Sequence, residues 1–280
     1  MKKILIVGSN SYIGTSFTKW IKPYCNKYFV DAISARNEEW EKTNFHNYDV
    51  LILVAAIVHR KDAELELYDQ VNHKLAVDIA KKAKKEGIKQ FIFFSTMAVY
   101  DNSVEILTRE SIPKPKTPYA KSKYKAEKEI ILMSDRSFKV AILRPPFVYG
   151  KGCKGNYVTM RKFALISPIF PNIENQRSMI YIDNLTEFLR VIIDDEAKGI
   201  FCPQNAEYVC TSSMIKEIDI CNGKTIILTK IFNPFIKILL NITVFRKVFG
   251  NYIYDRELSY YPKKYVIKSF KDSIKETECI

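Results

Sequence analysis

The sequence predicts a doubly wound α/β fold, in which a parallel sheet is covered by helices on both faces. Two observations predict it. Short apolar runs alternate with helical stretches along the first half of the chain, and most of these runs are continuously apolar, as in strands buried on both faces. The runs are Ile4–Val7, Tyr28–Ile33, Val50–Val54, Phe91–Phe94 and Val140–Leu143, and the clearest helical stretch is His73–Lys85.

Composition indicates one ordinary globular protein. The 280 residues are 47% apolar, which excludes intrinsic disorder, and the length is enough for a sizeable core. The six cysteines form no CxxC pair, so we expect reduced thiols in a cytoplasmic protein. Only three histidines are present and none lies beside a cysteine, so we expect no metal site.

The chain is strongly basic, with 44 basic and 31 acidic side chains and a formal charge of +13. This charge suits nucleic acid, an anionic membrane surface or a phosphate-bearing substrate. The lysines are spread over helices and no cluster of aromatics accompanies them, so we expect no nucleic-acid partner. No apolar run is long and uninterrupted enough for a transmembrane span or a signal peptide.

Two domains are expected. Residues 1–155 carry the regular alternation and form a dinucleotide-binding (Rossmann) domain, whereas 156–280 form a small and mainly substrate-binding C-terminal lobe, with a segment near 179–200 returning to the first domain. Within the lobe, Phe235–Phe249 is rich in apolar and basic residues. We expect its apolar face to pack in the lobe, and the alternative is a basic amphipathic helix at a membrane surface.

The first functional signal is the segment Gly8–Gly14, which lies between the first apolar run and the first helix. Glycine is scarce, at nine in the chain, so glycines here indicate a loop where the backbone must approach a ligand. Backbone amides and a helix N-terminus at this junction can hold a pyrophosphate. Ser11 replaces the usual middle glycine, and Tyr12 and Ile13 complete the predicted cofactor-binding loop.

The end of the second run decides which cofactor is favoured. Enzymes that bind NAD in this way carry an acid here for the ribose 2′-hydroxyl, but this chain has Ser34 and Arg36. A hydroxyl and a guanidinium suit a 2′-phosphate, so NADP(H) is favoured and NAD remains possible. The alternative is that Arg36 is a solvated loop arginine.

Tyr119 and Lys123 form the candidate catalytic pair. Four residues apart in a predicted helix, they share one face. A nearby ammonium lowers the pKa of a phenol from about 10 toward neutral pH, and the tyrosine then serves as acid and base between a hydroxyl and a ketone. Ser95 and Thr96 end a predicted central strand, at the edge where ligands bind in open α/β sheets.

With these motifs the chain resembles the extended short-chain dehydrogenase/reductase family, the NAD-dependent nucleotide-sugar epimerases, dehydratases and ketoreductases. The motifs that carry the resemblance span nearly the whole chain. They are the glycine loop, Leu53–Ala56, Val71-Asn72, Ser95–Tyr100, the Tyr119/Lys123 pair, Leu143–Gly150 and Arg177–Leu185.

The resemblance implies a role for several residues. Thr96 hydrogen-bonds the reacting sugar oxygen, Tyr119 transfers the proton and Lys123 holds the nicotinamide ribose. Ala55 and Ala56 lie along the cofactor, and Pro146 and Phe147 border the nicotinamide. Asn156 and Arg177 contact the nucleotide diphosphate, and Lys154 is a further candidate for this contact. His59 and Arg60 could reach the sugar, but a lone histidine is more often a packed or surface residue.

The same resemblance narrows the reaction. Family dehydratases carry an Asp-Glu pair directly after the catalytic threonine, whereas this chain has Met97-Ala98, so we discard dehydration. Segments 144–157 and 245–254 resemble 4-ketoreductases and 4-epimerases of bacterial capsule and O-antigen synthesis. We therefore expect reduction of the C4 ketone of a UDP-4-keto-6-deoxy-N-acetylhexosamine, with a UDP-sugar 4-epimerase as the alternative and a homodimer possible. A non-catalytic cofactor sensor is disfavoured because both Tyr119 and Lys123 are present.

Overall fold

The computed structural model describes residues 1–36, 38–58 and 65–279. They group into two compact units. The first comprises Met1–Asp101, Ile112–Pro145 and Thr186–Pro203, and the second Asn102–Ser111, Pro146–Leu185 and Gln204–Ile280. The expected domains 1–155 and 156–280, with a returning segment near 179–200, stay a prediction.

The first unit contains a sheet of six strands, all paired in parallel, in the order β10-β6-β4-β3-β1-β2. The strands are β1 (Lys2–Val7), β2 (Tyr28–Ile33), β3 (Val50–Leu53), β4 (Gln90–Phe94), β6 (Lys139–Leu143) and β10 (Gly199–Phe201). The last four residues of β1, all of β3 and all of β4 are buried. The predicted doubly wound α/β class is confirmed.

The strand order places a crevice beside β1. The chain leaves β1 for β2 on one side of it and then returns to β3 on the other, so the winding direction reverses between β1 and β3. At such a reversal the connections diverge, and the carboxyl ends of the two strands border an open crevice. Val7 and Leu53 are paired at this edge, so the loop that follows each strand lines the crevice.

Helices follow the strands as the 3.6-residue pattern predicts. They are α1 (Tyr12–Ile21), α2 (Glu39–Lys42), α3 (Leu65–Asp69), α4 (Leu75–Lys85), α5 (Pro118–Leu132), α6 (Asn156–Ile166), α7 (Ile182–Asp194), α8 (Thr211–Cys221), α9 (Asn233–Leu239), α10 (Thr243–Phe249) and α11 (Phe270–Glu278). The predicted helix from His73 begins within a π-helical turn at Gln70–Lys74, which joins α3 to α4. Two 3-10 turns lie at Lys22–Tyr24 and Met97–Val99.

The second unit is built on three pairs of short parallel strands. They are β5 (Ile106–Leu107) with β12 (Ile253–Tyr254), β7 (Phe147–Tyr149) with β9 (Met179–Tyr181), and β8 (Ile169–Pro171) with β11 (Ile227–Thr229). Tyr149 is fully buried at the end of β7, where its hydroxyl hydrogen-bonds Ser273 at 2.7 Å and accepts from Asn205 at 2.9 Å. These polar bridges hold α11 and the chain after β10 to the small sheet.

Residues 235–249 differ from the expectation. They form two short helices, α9 and α10, and only part of their apolar surface packs. Ile236 is buried, whereas the side chains of Phe235 and Ile238 are 67% and 72% exposed. Among the described residues no helix has both the length and the apolarity to cross a bilayer.

Candidate active site

The loop after β1 forms the predicted phosphate cradle. Gly8 has φ of +120°, which strains other residues, and a Cβ there would lie 2.8 Å from the backbone nitrogen of Ala55. A Cβ on Gly14 would lie 2.6 Å from Ser11 Oγ. The two glycines therefore keep the loop close to the chain after β3, and this loop leads into the N-terminus of α1.

Ser11 occupies the cap of α1 instead of leaving it open. Its Oγ accepts a hydrogen bond from the Gly14 amide at 3.0 Å, so one of the unpaired N–H groups of the first turn already has a partner. The amides that remain, and the positive end of the helix dipole, suit a pyrophosphate. The cradle fits a dinucleotide, with one donor fewer than a glycine at position 11 would leave.

Ala55 and Ala56 follow β3 as predicted. The Ala55 amide donates to the Val7 carbonyl oxygen at 3.0 Å, which joins this turn to the end of β1, and both alanines are half-buried. Small side chains keep the crevice open beside Gly8. The candidates His59 and Arg60 lie outside the described residues.

The end of β2 holds an acid that the sequence analysis missed. Arg36 is exposed, and its amide donates to Ser34 Oγ at 3.0 Å. The Ser34 amide in turn donates to the carboxylate of Glu39, at 2.9 Å from Oε2. A guanidinium and a carboxylate thus lie near the end of the same strand. The signal was available as an acid five residues after Ser34, but the distance along the chain concealed it.

Thr96 and Tyr119 are brought together at the end of β4. Thr96 caps the 3-10 turn that follows the strand, with Oγ1 accepting from the Ala98 amide at 3.1 Å, and its side chain hydrogen-bonds Tyr119. Tyr119 lies in the first turn of α5, just after the Thr117 cap. Two residues 23 positions apart in the sequence therefore form one proton-handling pair.

The pKa of Tyr119 differs from the expectation. Burial raises it to about 12, the Tyr68 side chain adds to this, and the hydrogen bond with Thr96 opposes it. The sequence analysis expected Lys123 to lower this pKa, which is wrong for the chain as it stands. The Lys123 ammonium instead donates to the Phe94 carbonyl oxygen at 2.7 Å and lies 4.5 Å above the Phe93 ring.

Lys123 is only 1% exposed. Removal from water disfavours its charged form and lowers its pKa to about 7, while the carboxylate of Glu127 one turn later opposes this. Glu127 forms its own bidentate ion pair with Arg144, at 3.1 Å from the Arg144 Nε, and Arg144 also donates to the Tyr100 hydroxyl at 2.6 Å. The carboxylate nearest to Lys123 in α5 is therefore engaged elsewhere.

Arg144 and Asn72 are supporting residues that sequence reasoning did not place in the site. Asn72 is fully buried, accepts from the Ile57 amide at 2.9 Å and donates to the Ile57 carbonyl oxygen at 3.0 Å. Its Nδ2 also donates to Ser122 Oγ at 3.3 Å. This amide ties the chain after β3 to the helix that carries Tyr119 and Lys123. Val71-Asn72 and Arg144 were noticed only as parts of motifs.

The remaining predicted residues lie in the second unit. Pro146 is buried directly before β7, and Phe147 begins that strand. Lys154 is exposed in the turn before α6, and Asn156 is the first residue of this helix. Among the described residues no group of His, Cys, Asp and Glu side chains is arranged to hold a metal ion.

Arg177 is half-buried in a short bridge between Val209 and Tyr252. Its Nη1 donates to the Gly250 carbonyl oxygen at 3.1 Å, and burial lowers its pKa from the usual arginine value. The guanidinium is thus oriented by backbone on three chain segments, as suits a side chain that must present a fork to an anion.

A doubly wound sheet with a glycine cradle at the winding reversal and a threonine–tyrosine pair at a strand end defines a dinucleotide-dependent enzyme. The chain belongs to the NAD dependent epimerase/dehydratase family, which matches residues 4–201. The predicted family and enzyme class are confirmed.

Two curated proteins show the range of its relatives. A UDP-glucose 4-epimerase of Vibrio cholerae is 30% identical over 251 residues, which cover 80% of this chain and 76% of that protein. An N-acetyl-alpha-D-glucosaminyl-diphospho-ditrans,octacis-undecaprenol 4-epimerase of Escherichia coli O157:H7 is 25% identical over 215 residues, 70% of this chain and 64% of that protein. Both relatives are 4-epimerases.

Solved structures share the fold. A UDP-glucuronic acid 4-epimerase from Bacillus cereus in complex with NAD has a TM-score of 0.75 at 17% identity, with 99% of this chain and 97% of that chain covered. A dTDP-4-dehydrorhamnose reductase from Bacillus anthracis in complex with NADP has a TM-score of 0.69 at 18% identity, with 83% and 86% covered. At such identities the likeness establishes the architecture alone.

Proposed function

We propose that the chain reduces the C4 ketone of a UDP-4-keto-6-deoxy-N-acetylhexosamine, in the supply of sugars for a capsular or surface polysaccharide. The observation that carries this proposal is the protonation state of Tyr119. With its pKa raised to about 12, the phenol keeps its proton across the neutral range. Ketone reduction needs a proton donor, whereas epimerisation begins by removing a proton from a hydroxyl. A protonated tyrosine therefore favours reduction.

The reaction adds one hydride to C4 and one proton to its oxygen. When bound, a reduced nicotinamide supplies the hydride. Thr96 orients the ketone oxygen by a hydrogen bond, and Tyr119 donates the phenolic proton to it. Lys123, whose pKa is about 7, supplies positive charge beneath the phenolate that remains, and solvent then restores the proton to Tyr119.

The cofactor is proposed to be NADP(H), exchanged at each turnover. Arg36 near the end of β2 suits the 2′-phosphate, while Glu39 opposes it through its negative charge. The Ser11 cap on the Gly14 amide removes one donor from the pyrophosphate cradle, which fits a cofactor that is released. A permanently held NAD would gain from that amide.

Arg36 and Glu39 should act in opposite directions on NADPH. Arg36→Ala is expected to raise the Kd for NADPH about 10- to 100-fold, the value of one charge-assisted hydrogen bond, and to leave NADH almost unchanged. Glu39→Gln keeps an acceptor for the Ser34 amide but removes the charge, so the Kd for NADPH should fall about fivefold. Fluorescence titration measures both, with Lys42→Ala in the same helix as the control. Equal effects on NADPH and NADH would remove Arg36 from this role.

The diphosphate of the substrate is proposed to bind Asn156 and Arg177, with Lys154 as a further contact. Arg177→Gln should raise KM for the UDP-sugar about 10- to 100-fold, because a charge-assisted hydrogen bond to a phosphate is lost, while NADPH affinity stays the same. Steady-state kinetics with the exposed Arg136→Gln as control measures the change. An unchanged KM would show that Arg177 serves only to hold the Gly250 segment.

A UDP-sugar 4-epimerase is the second candidate. It is favoured by the 30% identity with the curated UDP-glucose 4-epimerase and by the 4-epimerase activity named for the other curated relative. The two functions differ in how the nicotinamide behaves. An epimerase returns the hydride to the same sugar and keeps its cofactor, whereas a reductase consumes one reduced cofactor for each product.

The deciding experiment follows the absorbance of NADPH. When the purified enzyme meets a UDP-linked 4-keto-6-deoxy-N-acetylhexosamine, we expect loss of one NADPH for each 4-hydroxy sugar formed, with the product identified by mass spectrometry. A parallel reaction contains UDP-glucose or UDP-N-acetylglucosamine without added cofactor. Efficient conversion there to the 4-epimer would establish the epimerase and overturn the reductase.

A further inference from the structure

An exposed apolar surface lies on the second unit, away from all predicted site residues in the sequence. Ile231, Phe235, Ile238 and Ile242 repeat at intervals of four, three and four residues, which places them along one stripe of α9 and its flanks. Their side chains are 75%, 67%, 72% and 50% exposed. A globular helix buries such a stripe, so this face is built for a contact outside the chain.

The stripe continues onto neighbouring elements of the same unit. Ile169 and Ile227 are directly paired across the β8–β11 sheet, and both are exposed. Asn233 at the start of α9 donates to the Asn172 carbonyl oxygen at 2.9 Å, which fixes the helix beside this sheet. Val244 on α10 is also 69% exposed. We call these seven apolar residues the α9–β11 face.

Charge around the face has a single sign. From residue 220 to residue 254 the chain contains no Asp or Glu and five basic residues, Lys224, Lys230, Lys237, Arg246 and Lys247. Glu174 approaches Lys230 at 3.6 Å from the preceding loop, and Arg246 Nε donates to the Leu240 carbonyl oxygen at 3.0 Å. Lys237 and Lys247 are exposed and form no ion pair among the described residues.

We propose that the α9–β11 face docks the enzyme on a lipid bilayer that carries anionic headgroups. An exposed apolar stripe flanked by lysines is the pattern of a helix that lies in the membrane interface, with its apolar side chains among the acyl chains and its cations at the phosphates. A symmetric contact with a second copy would oppose the basic side chains of both chains, so self-association is disfavoured. This inference goes beyond the proposed function and does not depend on it.

Flotation with large unilamellar vesicles tests the proposal. We expect the wild-type protein to bind vesicles of 70% phosphatidylcholine and 30% phosphatidylglycerol far more tightly than vesicles of phosphatidylcholine alone, and binding to weaken at 0.5 M salt. Phe235→Glu combined with Ile238→Glu should lower the partition coefficient at least about 10-fold. Lys237→Gln combined with Lys247→Gln should lower it about 30-fold on the anionic vesicles.

The matched control places the same charges elsewhere. Ile112 and Leu132 are 73% and 84% exposed in the first unit, so Ile112→Glu with Leu132→Glu adds the same two charges without touching the face. This control should bind vesicles as the wild type does. Equal loss in the control, or equal binding to both lipid compositions, would overturn the proposal.

Two further measurements separate the other occupants. Sedimentation of the Phe235→Glu/Ile238→Glu variant reports oligomeric state, and a dimer that this variant dissociates, without vesicle binding by the wild type, would assign the face to a second copy and overturn the proposal. Circular dichroism should show the variant folded as the wild type is. Turnover on a soluble UDP-sugar, without vesicles, should be unchanged in the variant, so failure of vesicle binding is distinguishable from failure of the proposed reaction.

Discussion

Tyr119→Phe is expected to lower turnover about 10²–10⁴-fold, the usual contribution of one positioned acid or base. The substitution removes the phenolic oxygen that hydrogen-bonds Thr96 and that is proposed to protonate the sugar oxygen, and it leaves the ring in place. Because the pyrophosphate cradle is untouched, the Kd for the cofactor should change little. Single-turnover kinetics and cofactor titration measure the two effects separately.

The matched control for this change is Tyr124→Phe, which removes a hydroxyl from a half-buried tyrosine one turn later on α5. Its turnover should stay within about twofold of the wild type, as for a substitution outside the reacting groups. Near-normal turnover of Tyr119→Phe, or an equal loss in Tyr124→Phe, would exclude Tyr119 as the proton donor.

Lys123→Met should produce a more stable and less active protein. The buried ammonium is kept for its charge at a cost in solvation, and methionine fills a similar volume without it. We expect turnover to fall about 10²–10³-fold, as for loss of one electrostatic stabiliser. The free energy of unfolding should rise by about 1–4 kcal/mol, as when a buried charge is replaced by an apolar side chain.

The stability gain should depend on pH in a defined direction. In the folded chain the pKa of Lys123 is lowered from 10.5 to about 7, so between these values the unfolded chain binds more protons. The wild type is therefore fully penalised below pH 7, and its stability from this group rises with pH until about 10.5. The advantage of Lys123→Met should shrink over the same window in urea titrations. The exposed Lys121→Met should show neither effect, and a pH-independent gain would contradict the buried charge.

Local pattern was enough to predict the sheet. Each of the five runs from Ile4–Val7 to Val140–Leu143 overlaps a strand of the parallel sheet, because a strand covered on both faces must be apolar throughout. The glycine loop was also predictable, since Gly8 and Gly14 occupy positions where a Cβ would collide with Ala55 and Ser11. Both features depend on contacts near in sequence or on properties of a single residue.

The electrostatics of the site could not be read in the same way. A spacing of four residues places Tyr119 and Lys123 on one helix face, but it does not say that the ammonium bonds the Phe94 carbonyl oxygen. The acid near the end of β2 was missed because Glu39 folds back from α2 to the Ser34 amide. Predictions from spacing assume that the nearest partner in sequence is the partner in space.

The sequence by itself determined the doubly wound sheet, the glycine cradle and the residue types of the Thr96–Tyr119–Lys123 site, because periodicity and backbone sterics are local. Only the tertiary structure decided how these groups ionise and what they contact. Burial raises the pKa of Tyr119 and lowers that of Lys123, and burial depends on the strands and helices packed around them. The exposure of Phe235 and Ile238 was decided there as well, since an amphipathic pattern is the same whether its apolar face meets a core or remains open.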